Sequence, residues 1–473
     1  MRLAQLSAHL GLITLLTLGV ALRVFLMLEY QPAALSNPDS GRFLYFAHDA
    51  ERLFTDNYGP AGYEALLRGL RLVTTRLEAT VALQHLFGIA AALLVYAAMR
   101  RLGAPRWAAL IPAGVLLVSG DELYLEHALL SESPFIVLLA GGLYAAIRAL
   151  TAKDDFLTAA WLACAGGLLA ATASFRNVGL ILAPVIVVWA AIAMPRGWRG
   201  RLIGAGASAC GVGAVLGLYA ILAAASGGHT GWTAVRGWNE YGRSAPFADC
   251  TKFKPPAGTR RLCQRTPPAR RPASLFYLWY RGSPARAAFG GPPNHDALLG
   301  TFGRRAILAQ PWDYLDQVVS ELPRFVDWNA YHRRFSGGGP FLIVRRDPST
   351  ERQVEAQVRH DYSAARLSIE GGVTRIGEWQ DTERLAGFVP GAFVVLALAG
   401  LLLARGLARR GALLFALAGG SLVLLPAMTL TLIVRYTMPP TPFVAAAAGI
   451  GAWAVVDRLR AWREPAAQPA PPA

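Results

Sequence analysis

Apolar blocks long enough to cross a bilayer recur along this chain, and they restrict it to one kind of fold. A bilayer core of roughly 30 Å takes about 20 apolar residues in a helix rising about 1.5 Å per residue. Such blocks fall near residues 8–29, 79–99, 107–120, 131–150, 156–174, 177–194, 202–226, 386–404, 411–433 and 439–457, the third being the shortest. Charge is correspondingly scarce: 16% of the 473 residues, against roughly 25% in soluble domains. Mean hydropathy is +0.36. The expectation is an all-α polytopic membrane protein with about ten spanning helices.

The first block follows Arg2 and could be read as a secretory signal. Its length to Leu28, the missing small-residue cleavage site and the later blocks favour a retained helix, in which Arg23 is a charge near the far end. The net charge of +16 would suggest nucleic acid in a soluble protein. Here the basic residues sort by topology instead. With the N-terminus inside, the inside segments carry Arg2, Arg100/Arg101/Arg106, Arg148/Lys153, Arg196/Arg199/Arg201, Arg405/Arg409/Arg410 and Arg458/Arg460/Arg463. Every second connection is basic, as the positive-inside rule requires. This predicts an N-in, C-in chain in the cell membrane and no nucleic-acid partner.

That orientation divides the chain into four parts. Residues 1–226 form an N-terminal transmembrane module with a first outside loop at 30–78. Residues 227–385 are too long for a connector and read as an extracytoplasmic, partly helical loop domain, irregular to about residue 300. Residues 386–460 hold C-terminal spans, and 461–473 an Ala/Pro-rich tail, disordered from Pro465. Within the long loop, helices are expected over 303–328 and from an Asp347 cap with Pro348 at the first position. The second places Val354, Val358, Tyr362 and Ala365 on one face. In the first loop, Leu66, Leu70, Val73 and Leu77 mark an amphipathic helix, lying in the membrane interface or packed on the long loop. Cys164 and Cys210 lie in spans as packing residues. Cys250 and Cys263 lie outside and are disulfide candidates.

Charged groups at membrane depth or at its rim are costly and need a partner or a task. Asp39, in Asn37-Pro38-Asp39-Ser40 with Tyr45, follows the first span; it can serve as a base if its surroundings raise its pKa, or simply cap a helix. Asp121, Glu122, Glu126, His127 and Glu132 surround a short outside loop at 120–130. A divalent metal is one use for Glu126, His127 and Glu132, whereas Asp121 and Glu122 read as solvated. Arg176, in Ser174-Phe175-Arg176-Asn177, and Arg435-Tyr436 before Pro439-Pro440 are isolated outer arginines suited to an anionic phosphate or to a lipid head group. Carboxylates and isolated arginines converge on one side, as a transferase with a lipid-phosphate donor needs.

With these residues in view, the sequence resembles the lipid-carrier-dependent glycosyltransferases of the GT-C fold, the superfamily of protein O-mannosyltransferases and aminoarabinose transferases. The resemblance runs through Ala21-Leu22-Arg23-Val24-Phe25, Asn37-Pro38-Asp39-Ser40 with Tyr45, and Tyr58-Gly59-Pro60-Ala61-Gly62-Tyr63. It continues in Ala128-Leu129-Leu130-Ser131-Glu132, Ser174-Phe175-Arg176 and Arg435-Tyr436-Thr437-Met438-Pro439. It covers roughly residues 8–226 and 386–457 and leaves out 227–385. It implies a catalytic carboxylate at Asp39, with Asp49, Glu51 or Glu132 as the second acid where the family carries an acidic pair. It also implies a polyprenyl-phosphate sugar donor, an extracytoplasmic glycan, lipid or protein hydroxyl as acceptor, and in some relatives a divalent metal whose ligands are unassigned.

Competing expectations are an envelope polysaccharide polymerase or ligase, a lipid or solute transporter, and a membrane scaffold without catalysis. Transporters place ionisable groups near the bilayer midplane on broken, repeated helices. Here the candidates lie at span ends and no internal repeat is visible. Three lysines (Lys153, Lys252, Lys254) among 46 basic residues suggest a GC-rich bacterial genome.

Overall fold

The computed structural model of the protein describes residues 10–195, 197–228, 232–326, 348–362, 367–383 and 388–463. The readings placed on Arg2, Arg196, Asp347, Ala365 and the tail from Pro465 lie outside these residues. The fold is all-α apart from one two-residue antiparallel pair, β1 (Tyr30–Gln31) with β2 (Ser368–Ile369).

In chain order the helices are α1 (Leu10–Glu29), α2 (Pro38–Ala47), α3 (Gly62–Arg71), α4 (Leu77–Arg101), α5 (Arg106–Val118), α6 (Gly120–His127) and α7 (Glu132–Leu150). Then come α8 (Asp155–Ala171), α9 (Leu182–Ala193), α10 (Gly197–Ala225), α11 (Arg236–Ser244), α12 (Ser274–Trp279), α13 (Pro284–Phe289) and α14 (Asp296–Ala309). The last are α15 (Pro311–Glu321), α16 (Pro348–Asp361), α17 (Gly372–Glu383), α18 (Phe388–Leu403), α19 (Gly406–Thr429), α20 (Val434–Thr437) and α21 (Thr441–Arg463). Among the described residues, seven helices are long and apolar enough to span, and α5 with α6 makes an eighth, bent by 47°. The remaining two apolar blocks form shorter helices, Asn177–Ala193 and Phe388–Leu403. A multi-pass membrane protein follows from these lengths and compositions.

The bend between α5 and α6 corrects the expected loop at 120–130, which is a buried helix; Glu122 and Glu126 are 3% and 2% exposed. A helix break in an apolar bundle strips backbone carbonyls of partners, and each must find another. At the end of α5, Val115 O accepts from Ser119 N. Arg23 donates to Leu116 O at 2.9 Å and Leu117 O at 2.7 Å, and Trp379 Nε1 reaches Val118 O at 3.0 Å. At the end of α6, Tyr124 O accepts from Ala128 N and His127 O from Ala34 N. Ser133 Oγ donates to Leu125 O and Gln84 Nε2 to Glu126 O. Side chains of α1 and α17 thus serve the kink itself, and those of α4 and α7 the far end of α6.

The first-loop helix α3 ends at Arg71, and Leu77 begins α4 instead of extending the amphipathic stripe. Thr74 Oγ1 accepts from Arg76 N at 3.2 Å, a local bond that competes with the helical ladder. Leu72 and Val73 are left 79% and 85% exposed at the break. Similarly, the expected 303–328 helix divides into α14 and α15 at Gln310, since Pro311 cannot continue the ladder. The supposedly irregular stretch before residue 300 holds α11, α12 and α13 around a separate core of Trp238, Tyr241, Tyr277, Leu299 and Phe302. There Cys250 and Cys263 are joined as a disulfide. Helix α16 instead joins the main core through Val354, Val358 and Tyr362.

Candidate active site

Helix α2 begins as its sequence dictates. Asn37 caps it, its Oδ1 accepting from Asp39 N at 2.9 Å, and Pro38 takes the first position. Capping therefore falls to Asn37 and leaves the Asp39 side chain free to turn toward the bundle. There its Oδ2 accepts from Arg435 NH1. The same guanidinium donates through Nε to Glu132 Oε1, at the first position of α7, and Arg176 NH1 reaches that same oxygen. On the far side of Asp39, Arg42 Nε lies 3.5 Å from Oδ1, and its NH1 pairs with Asp56, whose side chain is fully buried.

The result is an alternating chain of charge, Arg176–Glu132–Arg435–Asp39–Arg42–Asp56, drawn from five segments. Glu132 has no side-chain exposure and Arg435 has 9%; Asp39 is the most open, at 37%. Burial of Asp39 raises its pKa, but Arg435, Arg42 and Arg176 outweigh this and hold it down at about 2. The group is therefore a firmly ionised carboxylate in this state, not one poised near neutrality. Tyr436 lies with its ring 5.5 Å from the Arg176 guanidinium. Beside them a narrow apolar cleft is walled by Phe135, Val178, Leu422, Pro426 and Pro439.

The surrounding backbone fixes these positions. Gly62 opens α3 against the Arg176 turn so closely that a Cβ would stand 2.3 Å from Ser174 O. The strand of chain before Arg435 is clamped from the long loop: Glu321 Oε2 accepts from Leu432 N at 2.8 Å, and Arg324 donates to Thr431 Oγ1 at 3.0 Å. Arg243, 1% exposed, is paired with Glu321 at 2.7 Å. The opposite ends of the bundle carry the basic connections, such as Arg101, bonded to Thr151 across two spans.

Glu126 and His127 lie in a second, separate network. Arg23 grips both Glu126 oxygens, at 2.6 and 2.7 Å. His85 links Glu126 at 2.8 Å to His127 at 3.2 Å, and His127 Nε2 meets Tyr30 O at 2.8 Å. Gly88 makes room for this, since any Cβ there would overlap Glu126 Oε1. Glu126 and His127 therefore do not join Glu132 in a cluster. Of the other acids considered for a pair with Asp39, Asp49 pairs with Arg52 at 3.3 Å and Glu51 is exposed; Glu132 alone shares a partner with Asp39 among these. A divalent cation at Asp39 and Glu132 would sit among the guanidinium groups of Arg42, Arg176 and Arg435, whose charge opposes it, although buried Glu132 Oε2 has no hydrogen-bond partner. The residues present do not fit a metal there.

Sequence reasoning missed Arg42 and Asp56, which look like ordinary loop charges until folding sets them beside Asp39. It also missed Glu64 of α3. This carboxyl is fully buried, neither oxygen has a hydrogen-bond partner, and burial raises its pKa to about 8 despite Arg42 nearby.

No protein-family model and no curated protein matches the sequence. Among solved structures, the fold is similar to the oligosaccharyltransferase AglB from Archaeoglobus fulgidus in complex with an inhibitory peptide and a dolichol-phosphate. That match has a TM-score of 0.48 and 12% identity, over 97% of this chain and 52% of that one. The same organism's oligosaccharyltransferase in the apo form gives 0.46 and 14%, over 95% and 51%. The S. cerevisiae protein O-mannosyltransferase Pmt1-Pmt2 complex bound to the sugar donor gives 0.36 and 18%, over 46% and 33%. The chain thus spans about half the length of the archaeal structures it resembles.

Proposed function

We propose that the chain is a membrane glycosyltransferase of the GT-C type, moving a sugar from a polyprenyl-phosphate carrier to an extracytoplasmic hydroxyl with inversion. One observation supports this above the rest: a single guanidinium, Arg435, is shared between Asp39 and Glu132, with Arg176 on the same Glu132 oxygen. A phosphate arriving beside Arg176 and Arg435 offers them the two-pronged contact that carboxylates now supply. Arg435 then exchanges Asp39 for phosphate. Deprived of its nearest cation, the half-buried Asp39 regains the higher pKa that burial favours, and becomes a base only once donor is in place.

The charges balance through the reaction. Asp39 takes the acceptor's proton and loses one negative charge as the acceptor oxygen attacks the anomeric carbon. The breaking sugar–phosphate bond leaves its electron pair on the carrier phosphate, which gains one. Fixed guanidinium groups meet that developing charge without reorganising, commonly the largest catalytic contribution. The 227–385 loop is assigned to the acceptor. Charged groups gathered at one rim, with none of these six at mid-span, favour this over transport.

The test is transfer by purified full-length protein in lipid nanodiscs, offered a panel of radiolabelled polyprenyl-phosphate sugars and cell-envelope acceptors. Donor-dependent transfer by wild type supports the reading. Failure of every donor, with correct fold shown by circular dichroism, overturns it.

A further inference from the structure

Two histidines and an aspartate outside the catalytic chain of charge converge where the first loop meets the long loop. Helix α2 ends at Ala47, and His48 follows with helical backbone angles. Its carbonyl oxygen accepts from Arg68 NH1 at 2.9 Å and from Arg71, so the backbone of His48 is held by α3. Opposite it, the last turn of α16 presents His360 and Asp361, and that helix is seated by buried Val354 and Val358. His48 Nδ1 lies 2.5 Å, and His360 Nδ1 3.0 Å, from the same Asp361 oxygen. The two rings stand 5.2 Å apart. One ligand atom from each of the three residues falls within 4.8 Å of the others.

We propose that His48, His360 and Asp361 bind a divalent transition metal of the zinc class, which clamps α16 to the end of the helix bearing Asp39. Tetrahedral zinc, with bonds of about 2.0–2.2 Å, needs donors about 3.3 Å apart. The present spacing reaches this by small side-chain rotations between two anchored backbones. Two imidazoles and one carboxylate suit zinc or cobalt over calcium or magnesium, which want oxygen. The His360 side chain is 73% exposed and that of Asp361 is 2% exposed, so a cation enters from solvent onto a fixed carboxylate. The fourth position falls to water, since Asp49 lies on the Nε2 side of the His48 ring, away from Nδ1. As matters stand, the Asp361 oxygen serves two ring nitrogens and Arg71 at 3.3 Å; a metal would replace that crowding with three bonds, leaving Arg71 its contact with the His48 carbonyl. The inference does not rest on the transferase reading.

The experiment is a titration of Zn²⁺ alone into tag-free full-length protein in detergent, stripped with a chelator, followed by calorimetry and by melting temperature. The expected result is one saturable equivalent and a raised melting temperature, with no rise from Mg²⁺ or Ca²⁺ at the same concentration. His360→Ala, at an exposed position, weakens binding at least tenfold and leaves the metal-free melting temperature unchanged; Asp361→Asn also weakens it at least tenfold. Absence of saturable Zn²⁺ binding, or weakening below tenfold in either variant, overturns the assignment. Both readouts are independent of sugar transfer, so a failed transferase assay leaves this result standing.

Discussion

Arg435 holds Asp39 across 396 positions of sequence. The segment before the last helix thereby restrains the segment after the first, and the proposed function has an incoming phosphate compete for that contact. The variants below separate this arrangement from a merely structural ion pair.

Asp39→Asn keeps the side-chain shape and the Asn37 cap but removes the proposed base. A loss of at least about 100-fold in kcat is expected, in the range for general acid–base groups, with little change in melting temperature because the side chain is half exposed. Near-normal transfer by an inserted, folded variant would end the assignment.

Arg42→Gln combined with Asp56→Asn removes one cation beside Asp39 without leaving a buried carboxylate unpaired. Losing that cation raises the pKa of Asp39 from about 2. The acid limb of kcat/KM is then expected to move to higher pH, with activity retained on the plateau. A pH–rate profile superimposable on wild type contradicts the coupling.

Glu64 tests burial. Its folded pKa of about 8 lies above the ordinary 4.5, so the folded state binds the proton more tightly than the unfolded one. Its contribution is fully present below about pH 4.5 and fades as pH rises through 8. Glu64→Gln should melt with wild type at pH 4.5 and several degrees above it at pH 8.5. Parallel melting curves at both pH values would refute this.

Arg23→Met strands Glu126 and two carbonyls of α5 in an apolar bundle. Breaking a buried pair from one side costs about 3–5 kcal/mol, read as a large drop in melting temperature. The double variant Arg23→Met with Glu126→Gln should recover part of that drop. Additive losses in a double-mutant cycle would show that the two side chains do not act together.

Each apolar block in the sequence lies on a helix, because burial in lipid demands a long apolar run and nothing else in the chain resembles one. Asp39, Glu132, Arg176 and Arg435 were legible for a related reason: charge at the end of an apolar helix is expensive and stands out. Arg42 and Glu64 on the short helices α2 and α3, and Asp56 between them, lie in a polar stretch where charge costs nothing on paper, and only packing buries them. The α5–α6 bend was equally hidden. Arg23 and Trp379 supply donors to its freed carbonyls from distant segments, and Gly120 at the break lies where a Cβ would stand 2.7 Å from Gln380. Glu126 and His127 stand out in the sequence, but their partners Arg23 and His85 lie in two other spans, 103 and 41 positions away from Glu126.

That bend also sets an order of events during synthesis. Helix α1 enters the membrane with Arg23 unpaired, since Glu126 lies 103 residues downstream. A lone arginine at the centre of an inserting helix carries a penalty of about 2.5–3.5 kcal/mol, less toward an end such as the one that holds Arg23. At about 5–20 residues per second, the nascent chain waits seconds for relief. Until α6 emerges, α1 lacks the carboxylate that Arg23 grips in the finished fold.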